Sequence, residues 1–213
     1  MTTVTKRRFI TVEGSEGVGK STNMEFIVND LRSRGKTVIM TREPGGTPIA
    51  EQIRTVLLQS EVGSMSDHCE LLLMFAARAD HVERVIRPAL ERGEWVVCDR
   101  FTDATYAYQG GGRGMDERDI GILEQFILRG LAPDLTILLD ASPDVSAARR
   151  SARGVSDRFE AEAAEFFTRV RRRYRESAER EPSRISLVDA SGSLDEVQTT
   201  LKAILDKYFS NDL

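Results

Sequence analysis

The stretch from Phe9 to Thr22 constrains the fold of this chain more than any other. An apolar run rich in β-branched residues, Phe9 to Val12, leads into Gly14-Ser15-Glu16-Gly17-Val18-Gly19-Lys20-Ser21-Thr22, and a helix-compatible run follows from Ser21 to Arg34. The loop fits G-x-x-x-x-G-K-[ST] in the strand–loop–helix setting that a phosphate-binding loop requires. Its glycines let backbone N–H groups turn inward around an anion without Cβ clashes. The helix that starts there adds unpaired donors and the positive end of its dipole. Lys20 is expected to reach the β- and γ-phosphates, and the Ser21 hydroxyl to take a Mg2+ position. Residues Gly14 to Thr22 are thus read as a nucleoside triphosphate site.

Four more short apolar runs follow: Thr37 to Met40, Trp95 to Cys98, Leu135 to Leu139 and Ile185 to Val188. Helix-type segments separate them. Gly35 stops the first helix in the position where a left-handed residue is wanted, and Pro48 opens a second, to Gln59. Asp67 with Glu70 resembles a capping box for a long helix from Cys69 to Arg92, with a kink or break expected at Pro88. A helix is expected from Thr102 to Tyr108, then a loop forced by Gly110 to Gly114, then a helix from Asp116 to Leu128. Ser142 caps another helix with Pro143 at its first position. Gly154 to Asp157 interrupts, Phe159 to Glu179 reads as a charged helix, and Ser193 with Glu196 opens the last one, to Phe209. Continuous rather than alternating apolarity implies strands buried on both faces. The expected fold class is therefore α/β, a five-stranded parallel sheet flanked by helices on both faces, in one domain spanning residues 1–213. Ligands in such sheets gather beyond the carboxyl ends of the strands, where Gly14, Arg42, Asp99 and Asp140 all fall.

Composition narrows the function classes. The 213 residues carry a formal net charge of −4, which argues against a general nucleic-acid binder. The basic run Arg169 to Arg175 alternates with Glu176, Glu179 and Glu181 and reads as an ion-paired helix face. Cys69 and Cys98 have no metal-type spacing and are expected to be buried small hydrophobes. His68 and His81 cannot build a metal cluster by themselves. The short polar N-terminus does not look like a signal peptide, and no run has membrane-spanning length, so a cytoplasmic location is the default expectation.

A phosphate loop does not name a reaction. No N-K-x-D guanine reader is present, Asp189-Ala190-Ser191-Gly192 comes too late for a switch loop, and Lys20 is the only lysine of the loop. Glu16 is informative, because a carboxylate among amides meant for phosphate would repel the nucleotide if it pointed inward. It is expected to point across the loop, toward a hydroxyl or a Mg2+-bound water. Arg42, Arg54, Arg78 and Arg100 fall where they can face the crevice, and planar guanidinium groups suit phosphate or base edges. Asp99-Arg100 at a strand end is the strongest of these positions.

The phosphate loop with Glu16, the Thr41-Arg42-Glu43-Pro44-Gly45-Gly46-Thr47 segment, Phe75-Ala76-Ala77-Arg78, Asp99-Arg100-Phe101 and Ala107-Tyr108-Gln109-Gly110 together resemble thymidylate kinase, in order and at matching spacings. The resemblance implies transfer of the γ-phosphate of ATP to dTMP, with Mg2+ held by Ser21 and Asp99, partly through water. It implies that Arg100 and Arg54 hold the acceptor phosphate, with the Pro44 loop closing against the nucleotide, and that Arg78 reads the thymine O4 edge. Thr105 and Gln109 lie where the family contacts the base, Tyr108 where it crowds the sugar 2′ carbon, and Glu16 near the 3′ hydroxyl or Mg2+ water. The family has an aromatic residue four positions before the base-reading arginine; here that position is Met74, with Phe75 beside it, and either is a candidate for the thymine contact.

The bacterial branch of the family carries a catalytic arginine in a lid, about residues 149–160 here, where Arg149, Arg153 and Arg158 match. Gly14 to Ser21 contains no arginine, in keeping with that branch. The resemblance further implies a homodimer formed through helices flanking the sheet, for which Leu71-Leu72-Phe75 is a compatible stripe, and no nucleic-acid or membrane partner. A kinase for another nucleoside monophosphate or a deoxynucleoside, and a nucleotide-gated binding protein, are the alternatives.

Overall fold

The structure, a computed structural model, describes residues 8–61, 63–151, 158–159 and 162–210. Five parallel strands form one sheet: β1 (Phe9–Glu13), β2 (Val38–Arg42), β3 (Trp95–Asp99), β4 (Leu135–Asp140) and β5 (Ile185–Asp189), in the order β2-β3-β1-β4-β5. All five residues of the central β1 are buried, the polar Thr11 and Glu13 among them, as a strand covered on both faces requires. The register places Val12 opposite Asp99 and Arg42 opposite Asp99 on the other side. The phosphate loop, Asp99-Arg100 and the Arg42 loop therefore leave the sheet side by side at its carboxyl edge.

The helices are α1 (Lys20–Ser33), α2 (Pro48–Gln59), α3 (Asp67–His81), α4 (Arg87–Glu91), α5 (Thr102–Thr105), α6 (Glu117–Leu128), α7 (Pro143–Ser151), α8 (Ala164–Arg180) and α9 (Leu194–Ser210). On one face of the sheet Ile10, Val12 and Ile137 pack with Ile27 and Leu31 of α1 and Leu201 and Leu205 of α9. On the other, Phe9, Val96 and Cys98 meet Phe101 and Ile86, and Leu138 meets Tyr108, Phe166 and Val170.

Local departures from the sequence reading have physical causes. Ser66, not Asp67, caps α3, accepting the Cys69 N–H at 3.3 Å, and Glu70 turns inward to be buried. The expected irregularity near Pro88 lies just before it: residues Val82–Ile86 form a wider turn in which the Arg87 N–H reaches the Val82 carbonyl. Pro88 has no N–H to continue the ordinary ladder, and the wider turn carries the chain past that gap. Gly110 to Gly112 do not form a loop but lie in a similar wide helical segment, Tyr106–Gly112. Packing explains them: a Cβ at Gly112 would stand 2.5 Å from the Phe166 ring, and one at Gly111 2.7 Å from Arg173 Cβ, so only glycine lets α8 come this close. Helix α8 begins at Ala164 rather than Phe159. Cys98 is buried, but Cys69 is exposed. The expected capping box of α9 is present, with Ser193 N–H donating to Glu196 at 2.8 Å and Glu196 N–H to Ser193 Oγ at 3.3 Å. Among the described residues no helix is long and apolar enough to cross a membrane.

Candidate active site

A cavity of about 510 Å3 opens at the carboxyl edge of the sheet. Gly17, Gly19, Lys20, Ser21 and Thr22 line one end of it, with Glu16 on the way across. Gly14, Ser15 and Val18 of the same loop do not line the cavity, and the Val18 side chain belongs to the core. Gly17, at φ +87°, lies so close to the base of α7 that a Cβ would meet the Ser146 carbonyl oxygen at 2.4 Å. Any L side chain there would displace α7. Lys20 Nζ donates to the carbonyls of Gly14 and Ser15 at 3.0 and 3.1 Å. Burial, with the nearby Arg100 charge, pulls its pKa down to about 8. Asp99, Glu16 and Glu13 offset part of that shift, and an arriving phosphate would favour the ammonium form further.

Asp99 lines the same cavity, and its Oδ1 is buried with no hydrogen-bond partner. An orphaned carboxylate oxygen on Asp99 and the Ser21 hydroxyl, both on residues that line the cavity of the phosphate loop, fit Mg2+, which takes one or two protein oxygens and fills its shell with phosphate and water. Among the described residues no group of three or more His, Cys, Asp or Glu side chains is placed to hold a metal ion by itself.

Arg100 is the centre of the cavity wall. Its backbone is left-handed, φ +66°, a conformation that costs a non-glycine residue roughly 1 kcal/mol or more. Its neighbours hold it there: Arg100 N–H donates to Val12 O at 3.0 Å, and Phe101 N–H to Glu13 Oε1 at 2.6 Å. The guanidinium donates to Glu16 Oε1 at 2.8 Å and to Tyr174 Oη at 3.3 Å, and it lies over the Tyr108 ring at 4.8 Å. Tyr174 donates in turn to Glu13 Oε2 at 2.8 Å, and Tyr108 donates to both oxygens of Glu16 at 2.7 and 2.8 Å. Glu16 thus points across the loop, away from the phosphate cradle. The two carboxyl groups are opposed in character. Burial, reinforced by Asp103, pushes Glu13 up to about 8. Burial would raise Glu16 as well, but the charges of Arg100 and Lys20 and the Tyr108 hydroxyl outweigh it and lower its pKa.

The far end of the cavity is a recess lined by Met74, Arg78, Thr105 and Gln109. Arg78 is almost fully buried and rigidly held: Nε donates to Glu43 at 2.7 Å and Nη2 to Phe101 O at 3.0 Å. Its Nη1 is buried with no partner. Glu43 in turn accepts from His81 Nδ1 at 3.0 Å, and His81 Nε2 lies 2.7 Å from Thr41 Oγ1. Met74 and Phe75 take different positions. Met74 faces the recess, whereas Phe75 is packed with Leu71 and Ile120 and carries the Arg78 guanidinium 4.8 Å above its ring. Arg54 lines the cavity and donates to the Pro44 carbonyl at 2.9 Å.

Other arginines lie elsewhere than expected. Arg42 is half-exposed and paired with Glu51 at 2.7 Å, away from the cavity. Arg158 is buried, with Nε on Leu57 O at 2.9 Å and Nη2 on Glu70, and does not line the cavity. Its guanidinium neutralises a buried carboxylate, which could not remain there unpaired. Arg149 does line the cavity and donates to the Ala190 and Gly192 carbonyls at 2.8 and 3.4 Å. Arg153 lies outside the described residues. The sequence gives Glu13, His81, Tyr174 and Phe159 no role in the site and Glu70 only that of a helix cap, because each is defined by partners far away in the chain. Only the acidic residue ending β1, in an otherwise apolar strand, carried a signal.

Comparison with known proteins agrees with this geometry. The family profile described as thymidylate kinase matches residues 12–201. A thymidylate kinase of Pseudomonas putida (strain GB-1) is 55% identical over 197 residues, 92% of this chain and 94% of that one. One from Alcanivorax borkumensis is 52% identical over 200 residues, covering 94% and 96% of the two chains. Among solved structures, a thymidylate kinase from Ehrlichia chaffeensis superimposes with a TM-score of 0.76 at 30% identity, covering 93% of this chain and 98% of that one.

Proposed function

This chain belongs to the thymidylate kinase family, and from that premise we propose how its residues share one reaction. The protein phosphorylates dTMP to dTDP with ATP as donor and Mg2+ as the accompanying ion. The observation that carries the assignment of parts is a single cavity with a phosphate loop at one end and, at the other, a recess bordered by the Arg78 guanidinium, whose buried Nη1 has no partner. A donor so placed calls for a ligand acceptor, and a pyrimidine O4 supplies one.

In this reading Gly14 to Thr22, with Lys20, bind the β- and γ-phosphates of ATP. Arg100 and Arg54 hold the dTMP phosphate, Arg78, Thr105 and Gln109 read the base, and Met74 packs on its ring. The buried Tyr108 ring crowds the sugar 2′ carbon, and Glu16 meets the 3′ hydroxyl. Ser21 and Asp99 would hold Mg2+, which would supply positive charge beside the phosphates. The attacking phosphate oxygen is already anionic, so positioning and charge stabilisation carry the reaction, without a general base. Positive charge on the migrating group is worth about 10³–10⁵ in rate where arginine supplies it. With no arginine in the loop, we assign that role to Arg153 in a lid at residues 149–160, with Arg149 on the cavity wall; Arg158 is committed to Glu70. We place the whole activity in one domain and in the cytoplasm, in keeping with two free cysteines.

We also propose a homodimer. Leu71 and Phe75 are core residues, but Leu72 on α3 and Ile122 and Phe126 on α6 are 57%, 65% and 69% exposed on helices that pack against each other. The decisive assay couples ADP release to turnover of dTMP, dUMP, dCMP, dGMP and UMP. Preferred turnover of dTMP is expected; equal rates across the panel would overturn the reading.

A further inference from the structure

We propose that Glu70 sets the pyrimidine specificity of the acceptor recess, acting as a positioning residue that locks the side-chain amide of Gln109. The proposal rests on the reading of that recess as the base site.

Glu70 is 1% exposed, deep on the inner face of α3. Three side chains converge on its carboxylate. Gln109 Nε2 donates at 2.7 Å, Arg113 donates through Nε at 3.2 Å and Nη2 at 3.1 Å, and Arg158 donates through Nη2. Both guanidiniums are themselves anchored, Arg158 to Leu57 O and Arg113 to Glu162, so the carboxylate has no freedom to swing. A carboxylate paired with two guanidiniums has only lone pairs to offer. The Gln109 amide can therefore turn only its NH2 end toward Glu70, and a reversed amide would set two acceptors against each other. The other end, Oε1, has no donor among the described residues, and Gln109 lines the recess.

Two fixed groups of opposite sense then border the recess: the Arg78 guanidinium, whose Nη1 has no partner, as donor and the Gln109 Oε1 as acceptor. A ring with a carbonyl beside an N–H, as at O4 and N3 of thymine or uracil, satisfies both. Cytosine, with an amino group beside a bare ring nitrogen, meets a donor with a donor and an acceptor with an acceptor. Without Glu70 the amide is free to rotate by half a turn and meet the cytosine nitrogen with its NH2 end.

The test compares kcat/KM for dTMP, dUMP and dCMP in the native enzyme, Glu70→Gln, Gln109→Leu and the double variant. In Glu70→Gln the dTMP:dCMP ratio is expected to fall roughly 10- to 100-fold, the range of one misplaced buried hydrogen bond. The dTMP:dUMP ratio is expected to stay unchanged, because those bases share the edge in question. Adding Glu70→Gln to Gln109→Leu is expected to change the dTMP:dCMP ratio no further. If Glu70→Gln lowers all three values by one factor, in step with Tm, Glu70 only holds the fold and the proposal is lost. Should that variant not fold, N3-methyl-dTMP gives the answer in the native protein. Turnover roughly 10- to 100-fold below that of dTMP supports a carbonyl facing N3; equal turnover overturns it. A native enzyme that phosphorylates none of the three pyrimidines would refute the base-site reading itself, before Glu70 is tested.

Discussion

At the scale of single residues, the site is built from charged groups that the protein has buried and then constrained. Arg100 keeps a left-handed backbone because Glu13 takes the next N–H, and its guanidinium is aimed by Tyr174 and Glu16. Arg78 is aimed in the same way by Glu43 and the Phe101 carbonyl. Glu13 makes this arrangement measurable. Its pKa of about 8 in the folded chain, raised by burial and then by Asp103, compares with an ordinary value of 4.5. Between those values the native state holds a proton that the unfolded chain releases, so this group's contribution to stability is full below about pH 4.5 and is lost as pH rises through about 8. Glu16 is shifted the other way and acts only on the acid side of the carboxylate range, and the lowered Lys20 acts only above about 8. Urea denaturation from pH 5 to 8 is therefore expected to show stability falling with pH. Glu13→Gln is expected to flatten that slope, and an unchanged slope would place the proton elsewhere.

At the scale of elements, two close approaches decide the shape of the cavity. The phosphate loop touches the base of α7 at Gly17, and the wide helical segment after α5 touches α8 at Gly111 and Gly112. Phe166, the ring nearest Gly112, also stands edge-on to Tyr108, with centroids 6.0 Å apart. Gly112→Ala inserts a methyl group where a buried aromatic ring cannot yield. Overpacking of this kind costs about 1–3 kcal/mol. We expect a lower Tm together with a raised KM for dTMP, since the displaced ring pushes on Tyr108. A variant with native Tm and KM would show that α8 has room to spare. The basic run in α8 is likewise accounted for by contacts: Arg171 and Arg175 pair with Asp140, and Arg173 with Glu117.

At the scale of the whole molecule, the three most exposed large apolar residues among those described, Leu72, Ile122 and Phe126, lie on α3 and α6. Phe126→Glu puts a charge at the centre of that face and is expected to yield monomers in analytical ultracentrifugation with little change in Tm; a persistent dimer would move the interface elsewhere. Much of the fold and site was readable along the chain, for reasons that are local. Periodic apolarity, the loop glycines and the Ser193–Glu196 cap are properties of neighbouring residues, so the five strands, the phosphate loop and the start of α9 could be located from sequence alone. The site positions Lys20, Ser21, Asp99 and Arg100 follow from their place at strand ends and helix starts. What the chain could not disclose is which charge is buried beside which. Glu70 looked like a cap and is instead a buried hub for Gln109, Arg113 and Arg158; Arg158 looked like a free lid cation and is that hub's counter-ion; Phe75 looked like a base contact and is the floor beneath Arg78. The sequence by itself determined the sheet, the loop and the kind of ligand they take, because backbone geometry and apolar patterning are short-range. Only the tertiary structure decided which side chains face the cavity. That choice depends on burying each charge with a partner 35 to 161 residues away, as Arg78–Glu43 and Tyr174–Glu13 illustrate, and no local pattern encodes such a pairing.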